Sequence, residues 1–190
     1  MGYCVTTAKH TLPGPSGSGP TTAKPRGRPR TGSRVAAVMA LYQSDYMAES
    51  AETVIDQFIR HRIGVFPGSD GYDDGRIPEA DIPLFSSLVR KAALNGETID
   101  GIVVAHLDKD WPLTKLDPVL RALLRVACLE LWGGPEGPGK PPAKVVINEY
   151  LDIAHGFFTG EEPRFANGVL DAMARTLRSD EFTGPATPRR

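Results

Sequence analysis

DPVLRALLRVACLEL, residues 117–131, is the stretch from which the fold can be read. Asp117 can accept a hydrogen bond from a free backbone N–H of a first helical turn, and Pro118 suits a first helical position, where no N–H is needed. Leu120, Leu123, Leu124, Ala127 and Leu131 recur at helical spacing as one apolar stripe, and Val119, Val126 and Cys128 widen it. Inside the helix only Arg121, Arg125 and Glu130 carry charge. At 1.5 Å per residue the segment is roughly 22 Å long, and so apolar a helix needs partners over much of its circumference. The pattern predicts a central helix that the other helices surround.

Working outward, the flanking segments repeat the same period. Ser33 reads as an N-cap for a helix to about Tyr46, with Val35, Val38, Met39, Tyr42 and Tyr46 on one side and Arg34 on the other. A second helix spans about 51–61, with Val54, Ile55, Phe58 and Ile59 inward, and is followed by a polar loop over 64–78 rich in Gly and Pro, which reads as mobile. Asp81 caps a third, carrying Leu84, Phe85, Leu88 and Ala92 and ending near Gly96. A fourth carries Ile99, Ile102, Val103 and Leu107 before Trp111 and Pro112 stop it, and Trp111 is expected to pack on the central helix. After the linker GGPEGPGKPP, Pro142 opens a helix with Val146, Ile147, Tyr150, Ala154 and Phe157 or Phe158 on its apolar side. The last helix starts at Glu161 or Glu162 and carries Phe165, Val169, Leu170, Met173 and Leu177, with acids at the dipole-favoured end. Alternating strand patterns are absent. The expected fold is an all-α bundle of about six or seven helices over residues 34–178, with a frayed tail at 179–190.

Composition narrows the function. A hydrophobic content of 41% is ordinary for a soluble protein, and the sequence has no apolar run long enough to span a membrane and no h-region of a secretory signal, so the reading is cytoplasmic. Cys4 and Cys128 make no disulfide framework, and His10, His61, His106 and His155 lack metal-ligand spacing. The net charge of −1 conceals a split: residues 1–34 hold Lys9, Lys24, Arg26, Arg28, Arg30 and Arg34 with no acid, a charge of +6, so the rest sums to −7. Residues 1–33, with five Pro and six Gly, read as a disordered basic arm suited to a polyanion. Arginine fits that task because its planar fork binds phosphate at two points and stacks on bases. Asn148 and Glu149 are the only polar pair inside VVINEYLDIA. Without a second acid, nucleophile or metal ligand beside them they read as structural or partner-facing, and no catalytic residue and no cofactor is expected.

Four stretches in register, RVAAVMALYQSD (34–45), DPVLRALLRVACLEL (117–131), PAKVVINEYLDIA (142–154) and FANGVLDAMA (165–174), resemble the NusB transcription antitermination family over approximately residues 34–177. The resemblance implies two helical subdomains around the central helix and no catalysis. It implies binding of the boxA element of nascent ribosomal RNA together with NusE, a small-subunit ribosomal protein, on elongating RNA polymerase. The family's arginine-rich entry to the first helix maps to Arg26, Arg28, Arg30 and Arg34, and Tyr42 falls on its ALYQ tyrosine. Phe165 and Asn167 match its FVNG segment. For each of these three a packing role competes with RNA contact: Tyr42 and Phe165 lie on apolar stripes, and Asn167 suits a helix terminus. NusB-like domains also precede an rRNA cytosine methyltransferase, but 190 residues leave no room for that α/β domain. The competing reading is a helical protein-interaction module with an incidental basic tail.

Overall fold

Asp117 opens the central helix as its chemistry requires: its Oδ1 accepts from Val119 N–H at 2.8 Å and Leu120 N–H at 3.2 Å. The helix, α5 (Pro118–Trp132), closes on Gly133, whose φ of 82° is left-handed and whose N–H reaches the Leu129 carbonyl at 2.8 Å. Ten of its 15 residues are buried, so it is packed over most of its circumference. The computed structural model describes residues 29–64, 76–109, 111–133 and 141–183. Within them are also α1 (Pro29–Met47), α2 (Ala51–His61), α3 (Ile82–Leu94), α4 (Gly96–Ala105), α6 (Ala143–Phe157), α7 (Glu162–Leu177), α8 (Ser179–Phe182) and a 3-10 turn at Leu113–Lys115. No strand occurs among the described residues, only an isolated parallel bridge between Ile63 and Ile77. The fold is all-α, and α1, α3, α4, α6 and α7 all pack on α5.

Polar pairs fix the helix directions. Arg34, early in α1, meets Glu130 late in α5, whereas Asp45, late in α1, meets Arg121 and Arg125 early in α5, so the two helices are antiparallel. Midway along α6, Glu149 bonds Thr31 and Arg34 near the start of α1, while Phe157 at its end lines one cavity with Tyr42 and Tyr46, so α6 runs in the same direction as α1. The ends of α1 and α6 and the starts of α5 and α7 therefore gather at one end of the molecule.

Several expectations are corrected. Helix α1 begins at Pro29, four residues before Ser33, which lies inside it and donates to the Pro29 carbonyl at 2.9 Å and to the Asp81 carbonyl at 2.8 Å. Gly32 makes this early start possible: a Cβ there would lie 2.0 Å from the Glu79 carbonyl oxygen, so only glycine lets the first turn lie against that backbone. Gly96 opens α4 instead of ending α3, and Leu107 falls beyond the end of α4. Ile59 and Tyr46, expected to face inward, are exposed, Tyr46 by 75%. Trp111 rests on Phe165 of α7, with ring centroids 6.0 Å apart. The expected fraying past Arg178 gives way to α8, because the buried Arg178 guanidinium bonds the carbonyls of Glu130, Leu131 and Pro141 and ties this segment to the end of α5. Most of the loop expected to be mobile (65–75), of the glycine-rich linker (134–140) and of the tail (184–190) lies outside the described residues.

Candidate RNA interface

Of the four arginines expected to meet RNA, Arg26 and Arg28 lie outside the described residues. Arg30 is exposed in the first turn of α1. Arg34 is corrected, since it is 3% exposed and points into the core. It donates through Nε and Nη2 to the two oxygens of Glu130, at 2.7 and 2.9 Å, and through Nη1 to Glu149 at 3.2 Å. The Tyr150 hydroxyl completes the group by donating to Glu130 at 2.7 Å, and Thr31 donates to Glu149 at 2.7 Å. Burial opposes the charge on Arg34, but the hydrogen bonds to Glu130 and the nearby carboxylates outweigh it and hold the guanidinium protonated. For Tyr150, burial and then the Glu130 charge push the phenol well above its ordinary value. The arginine expected to extend the basic arm thus holds α1 to α5 and α6. Glu149 is structural, as expected, and Asn148 is exposed.

Two signals in the sequence point to this network. Arg34 precedes Ala37, Val38 and Leu41 by three, four and seven residues, so it shares their buried face; the small Ala36, Ala37 and Ala40 mark that face less loudly than the larger residues beside it. Glu130, moreover, stands alone in the buried half of α5, and a buried carboxylate requires a cation. In α5, Arg125 is engaged by carboxylates, while Arg121, whose buried Nε has no hydrogen-bond partner, is held less closely. Arg125 donates to both oxygens of Asp100 at 2.6 Å and to Asp45 at 2.6 Å, and Arg121 lies 3.5 Å from Asp45.

The aromatic candidates gather at the opposite end of α1 from Arg30. Tyr42 is half-buried, packs against the core and stacks on Tyr46 with centroids 6.0 Å apart and planes 20° apart, so it is both a core residue and a groove residue. The two tyrosines line a cavity of about 540 Å³ with Val119 and Phe157. A second cavity of about 470 Å³ begins at Thr31 and Gly32 and shares Met39 and Phe157 with the first, so the pair follows α1 from its first turn to its last. Phe165 is half-buried against the core, and Asn167 is exposed one turn or more inside α7, away from the helix terminus that its alternative reading offered. The structure brings Tyr42, Phe165 and Asn167 to one end, with Arg30 at the other. Among the described residues no cluster of His, Cys, Asp or Glu is placed to hold a metal, and no helix is long and apolar enough to cross a membrane. Burial pushes the Cys128 thiol up to about 12, which leaves it inert as a nucleophile.

Known proteins share this sequence and this architecture. The family model described as the NusB family matches residues 31–175. The transcription antitermination protein NusB of Granulibacter bethesdensis is 57% identical over 159 residues, covering 84% of this chain and 95% of the relative. That of Gluconobacter oxydans is 47% identical over 154 residues, covering 81% of this chain and 91% of the relative. Among solved structures, T. maritima NusB superposes with a TM-score of 0.61 at 26% identity, covering 81% of this chain and 96% of its own. A crystal structure of antitermination factors NusB and NusE with double-stranded RNA matches in fold, with a TM-score of 0.57 at 22% identity over 77% of this chain and 96% of its own. With a family model running from the first turn of α1 to the last turn of α7, and relatives matched over nearly their whole length, the chain belongs to the NusB family.

Proposed function

We propose that this chain is an RNA-binding adaptor of transcription antitermination, which takes up a boxA-type single strand of nascent ribosomal RNA together with NusE and acts on elongating RNA polymerase in the cytoplasm. No reaction is involved, since the family is non-enzymatic. The observation that carries the reading is the charge split: the cations of residues 1–30 lead without an intervening acid into the exposed start of α1, on a body whose own charge is negative. Single-stranded RNA is held by cations along its backbone and by planar side chains on which bases stack. The arm and Arg30 supply the first, and Tyr42 and Phe165, with Asn167 as a polar neighbour, supply the second. Arg34 is left out of this set because its donors are spent inside the core.

Binding of a boxA-like RNA and of a scrambled RNA, each measured across a salt series with the full chain and with a chain lacking residues 1–28, tests the reading. The full chain should prefer boxA. Removing Lys9, Lys24, Arg26 and Arg28 should weaken binding and flatten log K against log salt by up to about 3, at roughly 0.7 for each phosphate that is no longer neutralised. Equal affinity for both RNAs with an unchanged slope would instead favour a protein-interaction module with an incidental tail.

A further inference from the structure

We propose that Trp111 is a base-stacking residue for the bound single strand, a role that rests on the RNA-binding reading above and adds a side chain to it. Trp111 is 55% exposed although it carries the largest apolar surface of any side chain type, and a half-exposed indole is costly to leave in water without a partner. It is held in place without being covered. Its backbone N–H donates to the Asp108 carbonyl at 3.0 Å, Pro112 follows in extended conformation, and the ring leans on Phe165 with centroids 6.0 Å apart and planes tilted by 40°. Phe165 is itself packed against the core, so the pair is a braced platform.

What favours a nucleic acid over an apolar protein surface is the partner ring, since Phe165 is the residue that the RNA-binding reading already gives to the bases. Lys109 and Lys115 flank Trp111 in the chain, Arg164 adjoins Phe165, and all three are exposed. Arg164 is only loosely held, 3.6 Å from an equally exposed Glu161. Acids stand among them: Asp108 and Asp110 precede Trp111 in the chain, Glu161 and Glu162 precede Arg164, and Asp117 is engaged as the cap of α5. A braced aromatic pair with exposed cations among its neighbours can stack bases while those cations meet phosphates. Position agrees, because Trp111 shares the end of the molecule that holds Tyr42, Tyr46 and Phe165. From Arg30 to Tyr46 α1 rises about 24 Å, a span suited to the single-strand sites of about 4–16 nucleotides that such surfaces hold.

The chain has two tryptophans, so the full-length Trp132→Phe protein leaves Trp111 as the sole indole emitter. Titration with a boxA-like RNA should quench that emission, saturating where the anisotropy of labelled RNA saturates. Trp111→Ala should lower affinity about 5- to 150-fold with no change in salt slope, because stacking releases no counterions, and Trp111→Phe should recover most of the loss. RNA that binds by anisotropy while Trp111 emission stays silent and Trp111→Ala keeps full affinity overturns the assignment and leaves the adaptor reading standing. A response of Trp111 to NusE but not to RNA overturns it as well, and marks a protein-binding residue instead. If no RNA binds at all, both readings fail. Should Trp111→Ala not fold, the quench in the parent and the Trp111→Phe affinity decide the matter.

Discussion

At the scale of single residues, Arg34 is where the basic N-terminus and the core meet. Its fork makes two parallel bonds to Glu130 and a third to Glu149, a geometry that a lysine's single ammonium does not reproduce. Arg34→Lys keeps the charge and should still lose about 1–3 kcal/mol of stability in urea unfolding, while the salt slope of RNA binding stays that of the parent. A variant of parental stability that binds RNA more weakly than the parent would return Arg34 to the RNA surface. Cys128 makes a second residue-scale prediction. Burial raises its folded thiol to about 12, from an ordinary value near 9, so above pH 9 the unfolded chain releases a proton that the folded chain retains. This contribution is intact below about pH 9 and is lost as pH rises from there toward 12, with a slope approaching about 1.4 kcal/mol per unit. Cys128→Ala should flatten the decline, as followed by denaturant midpoints at pH 8, 9 and 10; parallel curves for parent and variant would contradict the buried thiol. Arg34 was hard to read from the sequence because Val35, Met39 and Tyr42 trace a louder stripe than the small Ala36, Ala37 and Ala40 that mark its own face. For Tyr42 and Phe165 the sequence leaves packing and RNA contact as alternatives, and the structure shows that both turn one side to the core.

At the scale of elements, what was legible is what is locally determined. Asp117 and Asp81 cap their helices through bonds two or three residues away, and both were readable. The start of α1 was not, because distant groups set it: Ser33 reaches the Asp81 carbonyl, Asp81 N–H reaches the Pro29 carbonyl at 3.1 Å, and Thr31 reaches Glu149. The same holds for α8, which depends on Arg178 reaching back to the end of α5. Gly32 tests this account of α1. In Gly32→Ala the added methyl meets the Glu79 carbonyl oxygen, a backbone atom that no rotamer change can move, so the first turn must separate from residues 77–81. The expected cost is about 1–3 kcal/mol, with faster amide exchange at Asp81, whose partner is the Pro29 carbonyl. Unchanged protection at Asp81 would mean that the close approach is not what positions the turn.

At the scale of the whole molecule the governing feature is the separation of charge, +6 over residues 1–34 and −7 over the remainder, which was legible in full because it needs no fold to be counted. What the fold adds is that Arg34 is internal, so the positive surface begins at Arg30 and depends on the arm. An acidic body is a poor seat for RNA and a fitting one for a basic ribosomal protein. Residues 29–190 are therefore expected to bind NusE without the arm, and the full chain with NusE is expected to hold boxA RNA more tightly than the full chain alone. The seated partner places its own cations beside those of the arm, so the second set of RNA interactions forms at high effective concentration. Linkage makes the effect mutual: RNA must tighten the protein pair by the same factor, about 5- to 150-fold for couplings of ordinary size. Calorimetry on full and arm-deleted chains, with and without RNA, reads each leg of the cycle. An arm-deleted chain that no longer binds NusE, or a NusE that leaves RNA affinity unchanged, would break the division of labour between a basic arm for RNA and an acidic body for its partner.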